Sequence, residues 1–171
     1  MPAELLTLVG FHGKLPVTGD FVTRGLPHGF RVYWDRWAAR YLVTQEAWPE
    51  GGLRLRLASG GRVACGVAVP SRDIAGRRFP LAAFAIAGDL PDPPALDRWA
   101  DAAHAALTAA QAGGQDAETL WAALAALPLP EGAAGQGAAM QVWRRGQPAQ
   151  AVDPDAPALA PLFSCSGSSI P

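Results

Sequence analysis

Apolar positions recur with two different periods along this chain, and the switches between them mark out its elements. Residues 5–11 form a short apolar run suited to a buried strand. Phe30, Trp34, Trp37 and Tyr41 follow at spacings of four, three and four, with Ala38 and Leu42 beside them, which predicts a helix with one apolar face. Period two then takes over. Leu53, Leu55 and Leu57 alternate with Arg54 and Arg56, the pattern of a half-exposed strand with a charged outer face. Gly60-Gly61 predicts a tight turn into residues 63–69, a less polar and so more central strand. Residues 80–87 read as a third strand, buried on both sides. The helical period returns in Leu96, Trp99, Ala103, Leu107 and Ala110, between an Asp92-Pro93-Pro94 start and a Gly113-Gly114 stop. Asp116 opens a shorter helix with Leu120, Leu124 and Leu127, stopped by Pro128 and Pro130. Residues 138–145 suggest one more strand, at an edge.

Strands interleaved with helices predict an α/β fold, a mixed sheet covered by helices on both faces. The 171 residues suffice for one substantial core, and no repeat or linker divides them. Residues 1–146 are expected to form a single domain. From residue 147 onward Pro, Ala, Asp and Ser dominate, so 147–171 are expected to be an extended or poorly ordered tail.

Composition narrows the function classes. A net charge of −1 and a pI near 6.3 give no electrostatic case for nucleic acid or an anionic membrane. Cys65 lies in an apolar run and Cys165 in a Ser/Gly stretch, neither with a Cys-x-x-Cys or Cys/His neighbour, so neither zinc nor a disulfide is indicated. The N-terminus lacks the basic region and apolar core of a signal peptide, and no apolar run approaches the roughly 20 residues of a spanning helix. The chain reads as soluble and cytoplasmic.

Residues 10–27 are chemically the most distinctive. They hold Lys14, the only lysine in a chain that otherwise draws its positive charge from arginine. An ammonium is a compact point charge and a guanidinium a planar fork, so keeping one amine suggests a particular task. Gly, Pro, Asp20 and Arg24 alternate there with Leu15, Phe21, Val22 and Leu26, the make-up of an ordered loop. It is not a phosphate loop, because only two residues separate Gly10 from Gly13 and Leu15-Pro16 follow the lysine where Ser or Thr is needed. Asp20 is suited either to capping its own turn or to recognition. Arg24 is placed to pair with Asp20, an exposed pair of about 0–1 kcal/mol. In the second charged segment, 70–79, Asp73 and Arg77 are spaced to pin the connection, and Arg77-Arg78 could hold an anion.

The remaining polar candidates have ordinary readings. Asp35 faces solvent or ties its helix to a loop. His12, His28 and His104 are surface or packing histidines, only His12 adjoining the lysine loop, and Cys65 is a core residue. Ser71 lacks the Gly-x-Ser-x-Gly surroundings of a hydrolase nucleophile, and no metal-ligand spacing occurs.

Three segments carry a family resemblance. The opening Gly10-Phe-His-Gly-Lys-Leu-Pro-Val-Thr-Gly-Asp-Phe-Val-Thr-Arg-Gly-Leu-Pro27, then Trp34-Asp35-Arg36-Trp37, then Val69-Pro-Ser-Arg-Asp-Ile-Ala-Gly-Arg-Arg-Phe-Pro-Leu81 resemble, in order, the TagF proteins, accessory factors of bacterial type VI secretion. Beyond about Asp89 the likeness is one of general pattern. Residues 44–52 look shorter than in that family and the C-terminus looks clipped. The resemblance implies a three-layer α/β sandwich and a non-enzymatic regulator that restrains secretion after translation. It also implies binding to the forkhead-associated scaffold protein of that system, in opposition to its threonine-phosphorylation switch. No cofactor is implied. Lys14, Asp20, Arg24, Asp73 and Arg77 would then form the contact surface, shaped from beneath by Leu15, Pro16, Phe21 and Phe79. A different class remains open, a small enzyme or anion-binding domain with a pocket of Lys14, Asp20 and Arg77. So does a purely structural role for these charges, with the binding surface on the Trp-bearing helix or the Arg54/Arg56 strand face.

Overall fold

A computed structural model describes residues 7–135 and 137–163. Leu5 and Leu6 of the first apolar run and the last eight residues of the expected tail, Cys165 among them, lie outside the described residues. The strands are β1 (Leu8–Lys14), β2 (Phe21–Arg24), β3 (Leu53–Ser59), β4 (Arg62–Val69), β5 (Leu81–Ala87), β6 (Met140–Trp143) and β7 (Gln150–Val152). The helices are α1 (His28–Tyr41), α2 (Pro93–Gly113), α3 (Ala117–Ala125) and α4 (Ala160–Phe163). All strands join one open sheet in the order β2-β1-β5-β4-β3-β6-β7. Every pairing is antiparallel, so the sheet is not the mixed one expected. Apolar runs in β4 and β5 suggested parallel neighbours, but helices against both faces bury an antiparallel strand just as fully.

Alternation along the strands divides the core in two. Odd-numbered residues of β4 and β5 (Val63, Cys65, Val67, Leu81, Ala83, Ala85) pack with the predicted stripe of α2 and with Leu120 and Leu124 of α3. Even-numbered ones (Ala64, Ala68, Ala82, Phe84, Ile86) pack with Leu53, Leu55 and Leu57, with Trp34, Trp37 and Ala38 of α1, and with Leu162 and Phe163 of α4. Period two and opposite faces are the same statement for a strand. The helix ends follow the sequence signals. Gly114 closes α2 in the left-handed conformation, and the Asp116 carboxylate accepts the Thr119 amide at the start of α3. Asp92 stands at the N-cap of α2 without bonding through its side chain.

Three expectations change. Arg54 and Arg56 do not form a charged outer face; both are buried, on the α2 side of β3. Arg54 Nη1 reaches Asp97 Oδ1 at 2.9 Å and Nη2 reaches Asp101 Oδ1 at 2.6 Å, while Arg56 donates to the Pro91 and Leu90 carbonyls. β6 is no edge, since β7 pairs outside it. The expected tail supplies β7 and α4, and it is fastened to α1: Trp37 Nε1 donates to the Pro154 carbonyl at 2.9 Å and Tyr41 Oη to that of Asp155 at 2.7 Å.

Candidate functional site

The segment read as a loop around Lys14 is a β-hairpin. β1 runs through Lys14, the chain turns over 15–20, and β2 returns with Lys14 opposite Phe21 and Phe11 opposite Arg24. The two strand glycines permit close approach. A Cβ at Gly10 would overlap the Arg24 carbonyl oxygen and one at Gly13, where φ is +147°, the Pro80 carbonyl oxygen. Placing Lys14 on a strand puts it two residues from His12, on the same face.

That face meets the 70–79 connection, which folds back on itself. The Asp73 amide donates to the Arg77 carbonyl at 3.1 Å and the Phe79 amide to the Ser71 carbonyl at 3.2 Å. Asp73 is the centre of this arrangement. Its Oδ1 accepts the amides of Ala75 (3.0 Å) and Arg77 (2.9 Å); its Oδ2 accepts Lys14 Nζ (3.1 Å) and Arg77 Nε (2.8 Å). Ser71 Oγ donates to the Lys14 carbonyl at 2.7 Å, the Ile74 amide to the Thr18 carbonyl at 2.8 Å, and Arg77 Nη2 to the Gly19 carbonyl at 2.6 Å. Hairpin and connection are therefore one interlocked unit. Burial pushes the Asp73 carboxyl up, but the Arg77 amide and the Lys14 and Arg77 side chains outweigh it and hold the group down at about 2.

A second polar pair lies beside the first. His12 Nε2 is 2.9 Å from Asp35 Oδ1, which fastens α1 to β1. The His12 ring stacks on Phe21 (centroids 5.5 Å apart, planes at 3°), and Phe21 meets Phe79 edge-on. Lys14 Nζ lies 4.9 Å from the Phe21 ring centre. His12 is buried, and among the described residues its Nδ1 has no partner. Burial pulls its pKa below 6.5, against the opposing pull of the Asp35 bond.

Of the five residues singled out in the sequence, Lys14, Asp73 and Arg77 converge, and the first two are buried. Asp20 stays exposed and accepts the following Phe21 amide at 2.7 Å, its turn-capping reading. Arg24 does not pair with Asp20; it turns to Glu118 of α3 and to the Thr23 carbonyl. Phe21 is part of the surface itself, 43 % exposed, while Leu15 and Phe79 lie beneath. Sequence reasoning passed over the His12–Asp35 pair, though its signal was present: His12 and Lys14 share a strand face once 10–14 is read as a strand.

The chain matches the family described as the TagF N-terminal domain, type VI secretion system-associated, over residues 10–54 and 53–127. It belongs to that family. The TagF match takes in the hairpin, Asp35 and the whole 70–79 connection. The crystal structure of PA0076 from Pseudomonas aeruginosa PAO1 is similar to this TagF-family chain at a TM-score of 0.60 and 27% identity, covering 82% of this chain and 72% of that one. No curated protein matches in sequence. No helix of the described residues is long and apolar enough to cross a membrane.

Proposed function

We propose that this TagF-family chain is a non-enzymatic regulator of type VI secretion that restrains the system by binding its forkhead-associated scaffold protein. The interface is the tip formed by the 15–20 turn and the 70–79 connection. The observation that carries this reading is the placement of Val17, Phe21 and Ile74. They are 42, 43 and 71 % exposed and are three of the five exposed large hydrophobic side chains among the described residues. Val17 and Ile74 sit on two adjoining turns that the Ile74–Thr18 backbone bond holds together, and Phe21 opens the strand that leaves the first of them. Exposed apolar groups gathered at one place mark a contact surface. Asp73 fixes both turns beforehand, which lowers the ordering cost of association. The charges serve that fixing: Lys14 and Arg77 donate to Asp73, Arg77 also to the Gly19 carbonyl, and Asp20 spends an acceptor on its own turn.

The test is an affinity capture of the forkhead-associated protein on immobilised wild type, Ile74→Asp and Val17→Asp, with melting temperatures measured beside it. Loss of capture by folded variants supports the reading. Undiminished capture moves the interface elsewhere, and failure of wild type to capture the scaffold removes the partner assignment.

A further inference from the structure

Asp73 pairs with its neighbours Lys14 and Arg77, but the connection carries two more cations that the pairing leaves out. Arg72 and Arg78 face each other across an isolated antiparallel bridge. The flanking bonds run from the Asp73 amide to the Arg77 carbonyl and from the Phe79 amide to the Ser71 carbonyl, so 72 and 78 are a non-hydrogen-bonded pair. In such a pair both side chains leave the same face of the ribbon, with Cβ atoms about 4.5–5.5 Å apart. Like charges directly opposite are destabilising. Among the described residues neither guanidinium has a hydrogen-bond or ion-pair partner within the protein. Both line a cleft of about 510 Å³ between this connection and the segment after α1. Val43 and Trp48 line its other side, and Glu46 also borders it without an ion pair to either arginine.

We propose that this cleft binds a small organic phosphomonoester, with Arg72 and Arg78 on the phosphate and the Val43 and Trp48 side against the organic group. Two adjacent guanidiniums supply planar, paired donors for which a doubly charged tetrahedral anion is the complementary acceptor. The volume falls within the range of small-molecule sites. An anion seated between the arginines also relieves their mutual repulsion, so the unliganded connection is a primed host. The site is separate from the Lys14–Asp73–Arg77 network and does not depend on the protein partner.

The probe is phenyl phosphate, titrated into the full chain and followed by NMR at the Arg72 and Arg78 side-chain and Trp48 indole resonances, with inorganic phosphate and benzoate in parallel. Phenyl phosphate is expected to saturate and to bind more tightly than either control. Arg72→Gln and Arg78→Gln are each expected to weaken it by about tenfold or more, the loss of a charge-assisted contact, with the melting temperature of the unliganded protein unchanged or raised as the repulsion is lifted. Arg98→Gln, remote on α2, is expected to bind as wild type does. Absence of saturation, or binding indifferent to both substitutions, overturns the site. Benzoate as tight as phenyl phosphate overturns the dianion assignment, and inorganic phosphate as tight overturns the apolar half.

Discussion

Lys14 Nζ and Asp73 Oδ2 stand 3.1 Å apart, both buried and 59 positions apart in sequence. The chain's single ammonium is thereby committed to holding two distant segments together. Removing it leaves the carboxylate with Arg77 and two amides but takes one charge out of a closed set. Lys14→Ala is expected to cost about 3 kcal/mol in urea denaturation, in the range for breaking a buried ion pair. A cost near zero would show that the contact contributes nothing to stability.

Acid titration should reveal Asp73 separately. Its pKa falls from 3.8 to about 2 on folding, so its stabilising contribution is fully present above 3.8 and is lost as pH drops from there through about 2. Asp73→Asn is expected to be less stable at neutral pH and to lose less stability than wild type between pH 4 and 2. Parallel acid-unfolding curves for the two proteins would contradict this.

His12 acts in a higher pH window. A folded pKa below 6.5 means the fold favours neutral imidazole, so stability from this source is present above 6.5 and declines as pH falls toward the folded value. Burial is the cause, and it is unrelieved at one end of the ring: with the Nε2 proton given to Asp35, protonation would place an N–H at Nδ1, which no acceptor among the described residues meets. His12→Phe keeps a ring against Phe21 and removes the titration. The variant is expected to show a flatter stability profile just below pH 6.5, read from melting temperatures across buffers.

The glycines of the hairpin differ sharply from one elsewhere. A methyl at Gly10 meets backbone of 24–26 from across the strand pair, whereas one at Gly29 in α1 meets nothing within 4 Å. Gly10→Ala is expected to destabilise by about 3 kcal/mol through overpacking. Gly29→Ala should stabilise by about 0.5–1 kcal/mol through helix propensity. Equal responses in urea denaturation would refute the close-approach argument.

Where the sequence could be read, the reason was periodicity. The stripe from Leu96 to Ala110, the Trp34 and Trp37 face and the Gly60-Gly61 turn all follow from local geometry, which needs no knowledge of distant partners. Arg54 and Arg56 misled because period two says only that two faces of a strand differ, not that one of them is wet. The partners lie far along the chain: Asp97 and Asp101, which take Arg54, arrive from a helix more than 40 positions later, and Asp89, which takes Arg56, lies 33 positions on. Gly10 and Gly13 misled for a related reason: glycine marks loops, yet here it admits the backbones of Arg24 and Pro80. The candidate site was half legible. Asp73 with Arg77 is a local pairing and could be seen; Asp73 with Lys14, and His12 with Asp35, depend on the hairpin meeting α1 and the connection.

The four donors converging on Asp73 come from both motif segments: three from the connection and one from the hairpin. Neither segment can drift in sequence alone without stranding its counterpart's buried charge. The transferable unit between relatives is therefore the pair. A chimera that exchanges only residues 10–27 inherits a mismatched keystone, while one that exchanges 10–27 together with 70–79 carries the whole tip across intact.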